Sequence, residues 1–261
     1  MDFDLGIWIV SLLIGILIGL TGMGGGAVMT PILILVFDVR PLLAVGTDLA
    51  HGALTKTLGG WQHYRQGSVD MSLVRPLALG SVPGALLGVG LLELIKNRSS
   101  LDIDSFVSHV LGIVLVVVGI ALFFRLFIKN KERLEINGNG LMALASRKKA
   151  LLTVAGALVG FIVAISSVGS GTLIIALLSI AFPLAAVKIV GTDVFHAAIL
   201  LSSVALVHLA VGNVDYSLLG NMLLGSIPGV LIGTRLSIRV PDSVLRTALA
   251  GILLVAGVKM I

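Results

Sequence analysis

Gly46-Thr47-Asp48-Leu49-Ala50-His51 opens a stretch that is written a second time as Gly191-Thr192-Asp193-Val194-Phe195-His196. The offset is 191 − 46 = 145, and it holds without a gap to Gly88 and Gly233. Inside the stretch His63 falls on His208, Gly67 on Gly212 and Asp70 on Asp215. Gly80-Ser81-Val82-Pro83-Gly84 falls on Gly225-Ser226-Ile227-Pro228-Gly229, and direct comparison of 46–88 with 191–233 finds 18 identities in 43 positions. Both copies lie in apolar sequence and each carries an acid and a histidine. A doubled membrane unit with paired ionisable residues is the layout of a secondary transporter whose site lies between the repeats.

Composition agrees with a lipid solvent. Of 261 residues 57% are hydrophobic and 12% charged, where a soluble domain carries about 25% charged residues. Cysteine is absent, which excludes disulfides, thiolate metal sites and a cysteine nucleophile. The net charge of +5 is read as positive charge gathered in cytoplasmic loops and not as a nucleic-acid surface. The start Met1-Asp2-Phe3-Asp4 is acidic, unlike the positive n-region of a secretory signal, so the first apolar stretch is expected to be retained.

Apolar stretches run at about 5–21, 27–37, 41–61, 73–95, 106–126, 150–168, 172–182, 187–211, 217–235 and 243–260. A span needs about 20 apolar residues. The stretches 27–37 and 172–182 reach only about half a bilayer at 1.5 Å per residue. They follow Gly22-Met23-Gly24-Gly25-Gly26 and Ser166-Ser167-Val168-Gly169-Ser170-Gly171. Each pair therefore reads as one segment broken at depth. At the same offset Gly24 falls on Gly169 and Gly26 on Gly171, so the break belongs to the repeat.

The expected architecture is an all-α polytopic membrane protein forming a single membrane domain over 1–261. Repeat 1 covers about 5–126, a basic cytoplasmic linker about 127–149, and repeat 2 about 150–261. Parallel halves would leave Lys188, Arg235, Arg239 and Arg246 outside. Halves with one re-entrant broken hairpin and about three spanning helices each are inverted, and bring those residues inside. The positive-inside rule favours inverted repeats, with the N-terminus outside and the linker inside.

The breaks are the first candidate site. The helices beginning near Ala27 and Thr172 aim their N-termini at the membrane interior, where free N–H groups and the helix dipole attract anions. Irregular backbone at that depth is tolerated where it lines a cavity. The candidate ligands are the backbone of Gly22, Gly24, Gly25, Gly26, Gly169 and Gly171 and the hydroxyls of Thr21, Thr47, Ser166, Ser167, Ser170 and Thr192. The alternative is that the glycines serve only close packing.

Asp48 with His51, and Asp193 with His196, are three residues apart and share a helix face. A carboxylate at that depth must be paired, hydrogen-bonded or protonated. Two readings stay open: a coupling or substrate-adjacent pair, and a structural acceptor of N–H bonds from the break of its own half. A divalent metal held by the Asp/His pairs is a weaker third reading, since no closer ligand spacing supports it. No metal and no cofactor is expected. Lys56 falls on Leu201 in the second copy; it either attracts an anion or snorkels toward the interface marked by Trp61 and Tyr64, the second being favoured. His63 and His208 are read as interfacial. The two glycine ridges, Gly80-x-x-x-Gly84-x-x-x-Gly88 and Gly225-x-x-x-Gly229-x-x-x-Gly233, are read as surfaces for close helix contact, with Pro83 and Pro228 as weaker hinge candidates.

The Gly-rich break followed by Pro31, then Gly46-Thr47, then Gly80-x-x-Pro83-Gly84-x-x-x-Gly88, with their duplicates, resembles the TauE/SafE family of sulfite exporters and sulfonate uptake permeases. The resemblance covers essentially the whole chain. The second copy departs from it at Ser170, where the middle glycine stands, and at Ala176, where the proline stands. The resemblance implies a multi-pass carrier in the cytoplasmic membrane of a prokaryote. It implies a small anionic sulfur-containing substrate such as sulfite or sulfoacetate, and commonly export. The expected partners are that anion and the lipid bilayer, with no nucleic acid; the oligomeric state is not readable. No nucleotide-binding or hydrolase motif is present, so the chain is read as no enzyme. Proton coupling is favoured, because an anion beside Asp48 and Asp193 is repelled unless those acids are protonated or engaged. An anion channel, or less plausibly an intramembrane enzyme or metal site built on the Asp/His pairs, are the alternatives.

Overall fold

A computed structural model describes residues 4–21, 26–98, 101–125, 146–182, 184–236 and 242–261. Every regular element among them is an α-helix. The first half contains α1 (Leu5–Thr21), α2 (Gly26–Leu35), α3 (Pro41–Arg65), α4 (Met71–Arg98) and α5 (Ile103–Arg125). The second contains α6 (Ser146–Ser166), α7 (Thr172–Ala181), α8 (Ala186–Ala210), α9 (Tyr216–Leu236) and α10 (Asp242–Met260). Five of these helices, α4, α5, α6, α8 and α9, are long and apolar enough to cross a membrane. The half-length α2 and α7 each follow a break. The Gly22–Gly25 segment lies outside the described residues, as does most of the expected linker.

The repeat explains its own loops. Each α3-type helix stops at a glycine in the left-handed region, Gly67 at φ 69° and Gly212 at φ 77°. Ser68 N–H donates to His63 O at 3.1 Å and Gly67 N–H to Tyr64 O at 3.1 Å, a Schellman closure. Asn213 and Gly212 repeat it on His208 and Leu209. Two residues on, Asp70 and Asp215 cap the next helix: Asp70 Oδ1 accepts the Ser72 N–H at 3.0 Å, and Asp215 Oδ1 the Ser217 N–H at 2.8 Å. The matched Gly-x-x-Asp-x-Ser is thus a helix stop followed by a helix start.

The halves are interlocked. α1 packs on α9 and α6 on α4, so each half places its first helix against the other half's glycine ridge. A Cβ on Gly80, Gly84 or Gly88 would run into the backbone at Thr153, Ala157 or Phe161 of α6. A Cβ on Gly225, Gly229 or Gly233 would do the same at Trp8, Leu12 or Ile16 of α1. Those contacts are the same at the 145 offset, and in both the helices run in one direction. α4 passes through Pro76 and Pro83, and α9 through Pro228, without interruption.

The matched helices α3 and α8 also pack together, as do α5 and α10. Here residue numbers run in opposite senses: Gly46 lies at Asn213, Gly52 at Leu201 and Gly60 at Phe195. Likewise Gly112 meets Gly257 while Gly119 meets Leu254. The core is apolar, with Leu49, Leu77, Ile174 and Leu200 in one cluster and Met29, Leu111, Leu115 and Met222 in another. The outside is apolar as well: Leu79, Leu87, Val258 and Ile180, the last 82% exposed, present side chains that lipid and not water covers.

Candidate functional site

The site is built where the breaks meet the middle of α3. Gly26, the first residue of α2, lies so close to the second break that a Cβ there would sit 2.6 Å from the Ser167 carbonyl oxygen and 3.0 Å from Asp48 Oδ2. Only a glycine allows the two breaks to touch there. Ser167 itself takes φ 60° and Gly169 φ 109°, so the second break is a left-handed turn. Ser166 holds it from within: its hydroxyl donates to Ile162 O at 2.8 Å and accepts the Val168 N–H at 3.2 Å. Gly171 then caps α7.

Asp48 is buried and joins these pieces. Its Oδ2 accepts two hydroxyl bonds, from Thr30 of α2 and from Ser167 of the second break, both at 2.7 Å. Among the described residues its donors are these two hydroxyls, one from α2 of its own half and one from the break of the other half, which the interlocked packing brings onto α3; the Gly22–Gly25 backbone expected to supply N–H donors lies outside the described residues. Asp48 Oδ1 lies 3.7 Å from His51 Nδ1, too far for a hydrogen bond. His51 Nε2 instead shares a 2.7 Å bond with Ser226 Oγ of α9.

The second acid has different surroundings. Asp193 is fully buried, and neither of its carboxylate oxygens has a hydrogen-bond partner among the described residues. Its nearest charge is Lys56 Nζ at 3.9 Å from Oδ2. His196, its neighbour on the helix face, shares a 2.8 Å bond with Ser81 Oγ of α4, the counterpart of His51 with Ser226. Thr30 and Ser167, the two donors to Asp48, have Ile175 and Gly22 at the matched positions, so neither hydroxyl is repeated.

Thr47 and Thr192 are fully buried, and their hydroxyls accept backbone N–H bonds from the turn of the other half: Asp215 N–H to Thr47 Oγ1 at 3.0 Å, Asp70 N–H to Thr192 Oγ1 at 2.9 Å. These threonines tie the halves together. Thr21 ends α1; Gly22, Gly24 and Gly25 lie outside the described residues.

A cavity of about 370 Å³ opens from this junction. Its deep end is formed by Gly26, Asp48, His51, Ser167 and Ser170, and it follows α3 past Thr55 and Lys56 to Gln62, His63 and Gln66. Leu201 and Val230 form the apolar side. Of the expected site residues the cavity brings together Gly26, Asp48, His51, Ser167 and Ser170; Thr47, Ser166, Thr192, Asp193 and His196 stand behind its wall. Lys56 does not snorkel: it is 8% exposed, and its ammonium is buried. His208 is not interfacial either: it is fully buried, with Nε2 3.3 Å from Ala164 O. Sequence reasoning assigned no role beyond packing to Ser81 and Ser226. The available signal was their recurrence inside both glycine ridges, where a packing surface alone asks for no hydroxyl.

Among the described residues no cluster of three or more His, Asp or Glu side chains is placed to hold a metal ion. The arrangement suits holding and releasing a small polar solute: an elongated cavity along one helix, the start of α2 and the unwound second break at its end, and buried ionisable groups around it.

Comparison with known proteins agrees in kind. The family described as "Sulfite exporter TauE/SafE" matches residues 7–260. The chain is 42% identical over 253 residues to the "Probable membrane transporter protein YjnA" of Bacillus subtilis (strain 168), covering 97% of this chain and 98% of that protein. It is 30% identical over 241 residues to the "Probable membrane transporter protein YdhB" of the same organism, covering 92% and 93%. No solved structure matches it.

Proposed function

The chain belongs to the sulfite exporter TauE/SafE family of multi-pass membrane transporters, and we propose that it carries a small sulfur-containing oxyanion, sulfite or an organosulfonate such as sulfoacetate, out of a prokaryotic cell in exchange for or together with protons. The observation that carries this reading is the close approach of the two halves at their breaks, Gly26 against Ser167, in the lining of one cavity. Backbone N–H groups at such breaks, and the Ser170 hydroxyl on the cavity wall, suit an anion. Asp48 does not repel it fully, because its charge is engaged by two hydroxyls.

Matched helices that run antiparallel, α3 with α8 and α5 with α10, support halves inserted in opposite orientations. The orientation proposed is N-terminus outside and linker inside. The cavity then opens toward the cytoplasm, at the α3 end marked by Gln62 and Gln66. Rocking of one half against the other would close that end and open the equivalent end near His208.

Purified protein in proteoliposomes, loaded with a pH dye, tests the proposal. Saturable efflux of sulfite or sulfoacetate that moves with a proton gradient is expected. Flux that never saturates makes it a channel. Absence of flux for both anions ends the sulfur-oxyanion reading. Single cysteines at Asp2 and Gly138 are expected to label from opposite sides, in a chain with no native cysteine; labelling from the same side ends the inverted arrangement.

A further inference from the structure

Lys56 is the anomaly of the repeat. Its matched residue is Leu201, across the same cavity. An ammonium has three donors, and among the described residues Lys56 uses none of them in a hydrogen bond. Asp193, 3.9 Å away, likewise accepts none. A buried ion pair stabilises a fold only when good geometry and further hydrogen bonds offset desolvation. This pair has neither, so it makes a poor brace. Asp48, with two short hydroxyl bonds, makes a good one. Lys56 is also the sole Lys or Arg among the described residues that line the cavity, and its flexible stem lets the ammonium turn from Asp193 to a ligand.

Resting on the transport reading above, we infer that Lys56 is the cation that receives the substrate's anionic group, and that Asp193 is its partner while the site is empty, so that substrate and carboxylate compete for one ammonium. The chemistry is an exchange of counter-ions. An entering oxyanion takes the Lys56 donors and leaves Asp193 buried without its countercharge. A proton on Asp193 removes that penalty, so anion and proton are bound together. The remaining titratable groups facing this place are Asp48, His51 and His63 from α3 and His196 from α8. The cavity residues of α1, α2, the second break and α9 (Ile18, Gly19, Gly26, Ser167, Ser170 and Val230) bring none. Because the second copy carries Leu201 where a second cation would complete the repeat, the site holds its anion on the α3 side and not on the axis between the halves.

Calorimetric titration of purified full-length protein with sulfite and with sulfoacetate, at mildly acidic and mildly alkaline pH, tests this. The sulfonate stays ionised over that range, so pH dependence of its binding belongs to the protein. Lys56→Gln is expected to weaken binding by about tenfold to a hundredfold, the loss of one charge-assisted contact. Lys56→Arg is expected to retain binding. Asp193→Asn, which keeps shape and removes the competitor, is expected to bind more tightly than wild type at alkaline pH and to lose the pH dependence. Wild-type affinity in Lys56→Gln overturns the inference, and so does unchanged or weakened affinity in Asp193→Asn. Should Lys56→Gln fail to fold, Asp193→Asn alone decides. Wild-type protein that binds neither anion overturns the transport reading itself, and the inference with it.

Discussion

Asp48 and Asp193 hold the same place in a repeated sequence, and they live in different environments. Asp48 accepts hydroxyl bonds from Thr30 and Ser167 and joins α2, α3 and the second break. Asp193 accepts no hydrogen bond among the described residues and faces the ammonium of Lys56. The two histidines beside them kept one arrangement, each sharing a bond with the serine of the other half's glycine ridge. Duplication therefore preserved the contacts that hold the halves together and let the acids diverge. A membrane interior punishes unpaired charge, so two solutions to one problem, hydroxyls around one acid and a lysine beside the other, imply two roles.

The largest expected effect tests where the halves are alike. Gly84→Val and Gly229→Val each set a side chain against backbone, at Ala157 and at Leu12. Backbone cannot give way as a side chain can, so the loss should exceed the about 1–3 kcal/mol of ordinary overpacking. Both variants are expected to leave little monodisperse protein on size-exclusion of solubilised membranes. A normal yield for one and not the other would break the equivalence of the two ridges.

The next effect tests where the halves differ. Asp48→Ala leaves the Thr30 and Ser167 hydroxyls buried without their acceptor, at about 1–3 kcal/mol for each. Asp193→Ala removes no hydrogen bond seen among the described residues, and its cost lies in the stranded Lys56. Adding Lys56→Leu, the residue of the second copy, should therefore restore thermal stability to Asp193→Ala and do nothing for Asp48→Ala. Equal rescue of both variants in a melting series would erase the distinction between brace and counter-ion.

Much of this was legible in the chain. The 145-residue offset, the half-length helices and the glycine ridges are written as spacing, and spacing is what helical geometry reads directly. Gly-x-x-Asp-x-Ser announces a helix stop and start because its residues act on their own backbone. The partners of Asp48 were not legible. A repeat aligns residues within each half but leaves open which half packs on which, so the Ser167 hydroxyl that reaches Asp48 from the other copy is not marked by spacing. Lys56 was misread for a related reason. Distance along α3 toward Trp61 and Tyr64 suggested an interface, whereas α8 crosses α3 at that height and covers the ammonium.

The smallest effect sharpens the shared part of the comparison. Ser226→Ala removes the hydroxyl beside His51 Nε2, and Ser81→Ala the one beside His196 Nε2, at 2.7 and 2.8 Å. Each hydroxyl is fully buried, so each ring nitrogen is left without a partner among the described residues. A net hydrogen bond of this kind contributes about 0.5–1.5 kcal/mol. If these contacts are purely the seam between halves, the two variants should lower the melting temperature by the same small amount, and substrate affinity should hold in both. The acids give a reason to watch for more. His51 stands next to the braced Asp48 on the cavity wall. His196 stands behind that wall, next to the Asp193 that exchanges its countercharge. A seam histidine that also senses the exchange would show it as an altered pH dependence of sulfoacetate binding in Ser81→Ala alone. Equal pH profiles in both variants would confine the divergence of the halves to Lys56 and the two carboxylates.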